Sequence, residues 1–136
     1  MKTAKRWTKT DIRRMCGELD GAWLRCRPPP SYVLGDMQAA AERFRSWLSG
    51  NRERVILEGL KGLANMSAAR EVQQQRTASH WLEHFDNQEV HDRFVKFAAA
   101  EKRTQQRLCK LIARIETVGL PPEVVAYDPT ASGASL

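Results

Sequence analysis

No stretch of the 136-residue chain approaches the ~20 consecutive apolar residues that a membrane span needs. Mean hydropathy is −0.53, so no membrane partner is expected. Cysteine is scarce: Cys16, Cys26 and Cys109 are odd in number, widely spaced and without a Cys-x-x-Cys pair. A disulfide framework is therefore not expected, and a reducing cytoplasm suits the chain better. The first residues, Met1-Lys2-Thr3-Ala4-Lys5-Arg6-Trp7, are basic, but no apolar stretch or small-residue cleavage site follows them, so no secretory signal is read there. Sustained period-two alternation is missing, which argues against a sheet. Internal repeats, glycine-rich phosphate loops, paired carboxylates in a plausible cleft and Ser/His/Asp arrangements are missing too. The expectation is a protein that is not an enzyme and needs no cofactor.

What remains is an ordinary folded composition, 42% apolar and 28% charged, with one domain's worth of chain. The spacing predicts an all-α fold, a bundle of four to five helices closed by a long basic helix. Residues 1–120 would form one helical domain with a basic N-terminal arm, and 121–136 a flexible or docking tail.

Thr8-Lys9-Thr10-Asp11 has the capping-box form. Beyond it Ile12, Met15, Cys16, Leu19, Trp23 and Cys26 recur at helical steps until Pro28-Pro29-Pro30 stops the helix. Gly17 and Gly21 lie inside this stretch, where close packing of a neighbouring helix would account for them. Ser31 is placed to cap a second helix, with Val33, Leu34, Met37, Ala41, Phe44, Trp47 and Leu48 inward and a stop at Ser49-Gly50. Asn51 would cap a third, with Ile56, Leu57, Leu60, Leu63 and Ala64 inward. Asn65-Met66-Ser67 reads as a break before a fourth, with Val72, Ala78, Trp81, Leu82 and Phe85 inward; a single helix over 51–85 competes with that division. Asp86-Asn87-Gln88-Glu89 is another capping box, opening a helix over about 88–118 that ends at Gly119 and Pro121-Pro122. In the tail, Val124, Val125 and Tyr127 are candidates to dock.

The charge, +6 in total, is concentrated. Residues 1–30 carry eight bases and three acids, and residues 93–114 seven bases and one acid. At 100° per residue Val90, Phe94, Phe97, Leu108, Leu111, Ile112 and Ile115 share one side of the long helix, while Lys96, Arg103, Arg107, Lys110 and Arg114 share an arc nearly opposite. These five cations span about 27 Å at 1.5 Å per residue and can follow a phosphate backbone. A solvated outer face is the competing reading, but such faces normally mix signs. At the N-terminus Lys5, Arg6, Lys9 and Arg13 surround Trp7, either as a second phosphate contact with an aromatic to stack on a base or as a terminus stapled onto the first helix. Glu101 interrupts the apolar arc and requires a partner: an arginine from another helix, or a second chain covering the gap.

His80-Trp81-Leu82-Glu83-His84 matches the inverted zinc-protease pattern, in which His at i and i+4 share a metal. Only 52 residues follow His84, too few for the further ligand and the larger domain this chemistry needs, so no metal site is expected. A structural site of His80 and His84 joined by His91 is the weaker alternative. The cysteines and the tryptophans Trp7, Trp23, Trp47 and Trp81 read as packing residues.

The stretch Asp92-Arg93-Phe94-Val95-Lys96-Phe97, continuing through Lys102-Arg103 to Leu108, resembles the closing helices of the small helical subunits of class 1 CRISPR effector complexes. Trp7-Thr8-Lys9-Thr10-Asp11, a helical middle and Gly119-Leu120-Pro121-Pro122 are similar to phage small terminase subunits. Both resemblances imply a helical, nucleic-acid-associated subunit that assembles with other protein subunits as a homo- or hetero-oligomer. The function expected from the sequence is non-catalytic contact with the RNA or DNA backbone by an accessory subunit. The alternative is a protein-interaction module, such as a small phage or plasmid regulator, whose basic edge docks on an acidic partner.

Overall fold

The computed structural model describes residues 6–29 and 34–131, and among them every regular element is helical. The elements are α1 (Lys9–Cys26), α2 (Leu34–Phe85), α3 (Gln88–Val118) and the short α4 (Pro122–Val125). Ser31 and Val33, placed by the sequence at the start of the second helix, lie outside the described residues, as does Lys5. The described chain divides into two compact units: residues up to Gly59 together with those from Ile115 onward form one, and Leu60–Arg114 the other.

Thr8 caps α1, its hydroxyl accepting from the Asp11 amide at 3.0 Å. Met15, Leu19, Ala22 and Trp23 form the buried stripe of this helix. Cys16 is only half-buried and Cys26 is exposed, because Cys26 is the last residue of the helix, beyond the turn that Trp23 seals. Cys109 is exposed as well, one position off the stripe that carries Leu108. Gly17 and Gly21 do not receive a neighbouring helix: a Cβ at Gly17 would meet nothing within 4 Å, and one at Gly21 would meet only the Arg25 guanidinium at 3.4 Å. The close approach is at Gly59 instead, where the Glu18 carboxyl group lies in the space a Cβ would fill. Burial raises the Glu18 carboxyl above its ordinary range, against the pull of Arg25 and Arg14.

The largest departure from the sequence reading is α2. The expected stop at Ser49-Gly50 and break at Asn65-Met66-Ser67 are absent; the competing reading, one helix over 51–85, is the one observed across 65–67, and that helix extends back to Leu34. Asn51 is not a cap; its side-chain amide donates back to the Trp47 carbonyl at 2.8 Å. Ser67 is fully buried and donates to Glu101 instead of capping. Between Ala40 and Leu60 the buried positions Ala40, Phe44, Leu48, Ile56 and Leu60 lie at multiples of four. Each four-residue step advances about 40° around the axis. From Leu60 to Ser67 to Ala78 the steps are sums of threes and fours that return to nearly the same direction. The buried stripe therefore winds around α2 in the first unit and holds its direction in the second. A stripe that changes course at Leu60 mimics separate helices in sequence.

This geometry also places four residues outside that the sequence put inside: Trp47, Val72, Phe85 and Phe97 are 44–59% exposed. Val72 falls about 120° around a continuous helix from Leu60 and Ala78, off the buried stripe. Phe85 is the last residue of α2, with only the turn beyond it. Asp86 closes that helix in the left-handed region (φ 48), its amide donating to the Leu82 carbonyl at 3.1 Å. The cap of α3 is Asn87, one residue later than expected; its Oδ1 accepts from the Val90 amide at 3.1 Å.

Gly119, at φ 81, turns the chain out of α3. Residues 119–131 then pack within the first unit. Pro121, Val124 and Pro129 are buried. The Arg52 guanidinium donates to the carbonyls of Val124 (3.2 Å) and Tyr127 (2.8 Å), tying this segment to α2. The Tyr127 hydroxyl donates to Asp20 at 2.6 Å, and burial together with this carboxylate pushes the phenol up to about 12. Arg45 donates to Thr130 at 2.6 Å and lies 3.9 Å from Asp128. Val125 remains exposed.

Continuity of α2 has a direct test. Gly50 is exposed, in the helix interior, with nothing within 4 Å of a Cβ there. Gly50→Ala should raise stability by about 0.5–1 kcal/mol, read as an increased urea midpoint at unchanged slope. A lowered midpoint would show a turn at Ser49-Gly50.

Candidate nucleic-acid interface

The second unit is an antiparallel helical hairpin, α2 from Leu60 and α3 to Arg114, joined by the Asp86-Asn87 turn. Leu108, Leu111 and Ile112 commit one side of α3 to the interior. On the other side Lys96, Arg103, Arg107 and Lys110 are exposed. Arg114 lies on the same arc but is half-buried and already engaged.

The cations on this arc differ in their surroundings. At the start of α3 acids and bases are interleaved: Glu89 lies 3.6 Å from Arg93, and Asp92, hydrogen-bonded by Gln88 and adjoining His91, also feels Lys96 one turn on. Further along, the guanidinium and ammonium groups of Arg103, Arg107 and Lys110 make no ion pair or hydrogen bond with any described residue. Alanines at 99 and 100 flank the start of this uncompensated run and leave it open.

Glu101 shows how the hairpin accommodates the one acid of the segment. Its carboxylate accepts from the fully buried Ser67 hydroxyl and, at 2.9 Å, from Arg70 Nε. The pairing with an arginine of another helix, one of the two sequence readings, is the arrangement present. These two donors hold the Glu101 carboxyl below its ordinary range. A second polar link, Gln105 Nε2 to Glu71 Oε1 at 3.0 Å, lies one turn away. Glu101 is thereby turned toward α2 and does not neutralise the cationic arc.

Among the N-terminal candidates Arg6, Lys9 and Arg13 are exposed and Trp7 is half-buried, all in the first unit. His80 and His84 stack on the outer side of α2 with ring centroids 4.7 Å apart, near Glu83. His91 belongs to the Gln88–Asp92 cluster instead. Among the described residues no group of three or more His, Cys, Asp or Glu side chains is placed to hold a metal ion. No described helix is long and apolar enough to cross a membrane.

The sequence reading missed the exposed indole of Trp47. Its ring is the outermost of three: Trp23 and Phe44 lie 5.2 Å apart between centroids, and Phe44 and Trp47 5.8 Å. The i, i+3 spacing of Phe44 and Trp47 suggested a shared face, but the winding stripe buries only Phe44.

Comparisons with protein-family models, curated proteins and solved structures found no match to this chain.

The Glu101 cluster makes folding stability depend on pH. A carboxyl whose folded value lies below its unfolded value of about 4.3 stabilises fully above that value and loses its contribution as pH falls toward the folded one. Glu101→Gln should lower the thermal midpoint at neutral pH and flatten its decline in acid relative to the parent. Identical acid profiles for the two proteins would remove Glu101 from the fold's acid sensitivity.

Proposed function

We propose that the chain is a non-catalytic, cytoplasmic accessory subunit that binds the phosphate backbone of nucleic acid through the basic edge of α3. One observation carries the reading: among the described residues Arg103, Arg107 and Lys110 stand exposed and without counter-ions on one arc of a helix whose opposite side is committed to packing. A solvated face of ordinary composition would interleave acids at i±4, as the first two turns of α3 do. The cations of the arc address phosphates and not base edges, so the binding is largely independent of sequence. Lys96 extends the arc toward the turn, with Arg6, Lys9 and Arg13 a second group of cations. The exposed Phe85 and Phe97 support the assembly part of the reading, since large apolar side chains left open on a small hairpin suit contact with other subunits. The resemblances to small CRISPR effector subunits and to small terminase subunits point to the same class of role.

Replacing Arg103, Arg107 and Lys110 together by Gln preserves helix propensity and leaves the apolar side intact. Affinity for mixed-sequence oligonucleotides should fall by a similar factor for every sequence. The slope of log affinity against log salt should shrink by about 0.7–0.9 for each phosphate no longer neutralised. Parent-like binding by the triple variant at matched ionic strength would leave this edge as a docking face for an acidic protein, where salt dependence is shallower.

A further inference from the structure

The exposed indole of Trp47 sits between two shallow clefts of the first unit. One, of about 260 Å³, is lined by Cys26, Ala40, Arg43, Phe44 and Trp47. The other, of about 340 Å³, also touches Cys26 and Trp47 and includes Arg25, Val55 and Glu58. Three features distinguish this indole from a core residue that merely surfaces. Trp47 is 45% exposed, whereas Trp23 and Phe44 are 4% and 5% exposed. Phe44 packs against the indole and is itself backed by Trp23. Arg43, one turn before it on α2, and Arg25 on α1 flank it, and neither guanidinium forms an ion pair or hydrogen bond with a described residue. An exposed aromatic face with guanidinium groups lining the clefts beside it matches a nucleobase with its neighbouring phosphates.

We infer that Trp47 is a stacking platform for an unpaired nucleobase, with Arg25 and Arg43 receiving the flanking phosphates. The preferred ligand is therefore single-stranded nucleic acid. A base stacked inside a duplex cannot present its face to the indole, whereas an unpaired one can. Glu58 shares the second cleft with Arg25 and partly offsets its charge, so Arg43 is the stronger of the two phosphate contacts. The inference rests on the nucleic-acid reading of the chain but uses a different unit from the α3 edge and a different kind of contact.

Binding of the full chain to a short fluorescein-labelled oligothymidylate, and to a duplex of equal length, tests it. Trp47→Leu should weaken single-strand binding roughly 5- to 150-fold, the range of one base stack removed, while duplex binding changes little. Its salt slope should match the parent's, because stacking releases no counterions. Arg25→Gln with Arg43→Gln should instead shrink the slope by about 0.7 for each phosphate left without its cation. Trp47→Phe, which keeps an aromatic face against Phe44, should retain most of the affinity. On the parent itself, an oligonucleotide carrying 5-bromodeoxyuridine should photocrosslink to the peptide containing Trp47, a readout independent of whether Trp47→Leu folds. The inference is overturned if the crosslink maps elsewhere, or if Trp47→Leu binds the single strand like the parent or loses single-strand and duplex binding equally. Loss of binding by the Arg103/Arg107/Lys110 variant would then still uphold the α3 edge. A parent that binds neither probe overturns both readings and leaves Trp47 an anchor for a protein partner.

Discussion

Every other feature of this chain depends on one constraint, that a single hydrogen-bonded helix must serve two separate interiors. α2 meets it by changing the course of its buried stripe at Leu60 without breaking its backbone ladder. Four-residue steps carry the stripe around the helix through Ala40, Phe44, Leu48 and Ile56, and longer steps then hold it steady through Ser67 and Ala78. Gly50, Gly59 and Gly62 in the same helix each forgo about 1 kcal/mol of propensity relative to Ala. Packing on both sides of the change offsets that cost. At Gly59 the missing side chain also has a use, since it makes room for the Glu18 carboxyl group.

Polar chemistry inside the units follows the rule that a sequestered charge must find donors or acceptors. Arg52 donates to the Val124 and Tyr127 carbonyls, Tyr127 reaches Asp20, and Glu101 collects Ser67 and Arg70. No buried side-chain nitrogen or oxygen among the described residues lacks a partner. Against that background the uncompensated cations of α3 stand out, because the fold has neutralised the acid nearest to them, Glu101, by turning it the other way.

The helical character, the extent of α3, the Thr8 cap and the Gly119 exit were legible from spacing and turn chemistry, because those signals are local. The arc of α3 was legible for the same reason: on one straight helix, 100° per residue places Arg103, Arg107 and Lys110 together without knowledge of any neighbour. The continuity of α2 was legible only in part: one helix over 51–85 was among the sequence readings, but Ser49-Gly50 carries the residues of a helix end and only tertiary packing overrides it. Exposure of Trp47, Val72 and Phe85 was hidden with it, because each was assigned a side from a helix thought to begin elsewhere. The role of Ser67 was equally hidden: its partner Glu101 is 34 residues away, and no spacing rule connects them.

The three thiols are unequal in a useful way. Cys16 is half-buried, and burial first, with Asp20 second, raises its thiol above the ordinary value despite Arg52. It is therefore slow to form the reactive thiolate. Cys26 and Cys109 are both exposed, and they fall one in each unit. The unaltered chain thus carries a natural pair of attachment points for donor and acceptor dyes, and resonance energy transfer between them reads the separation of the two units in solution before any cysteine is engineered.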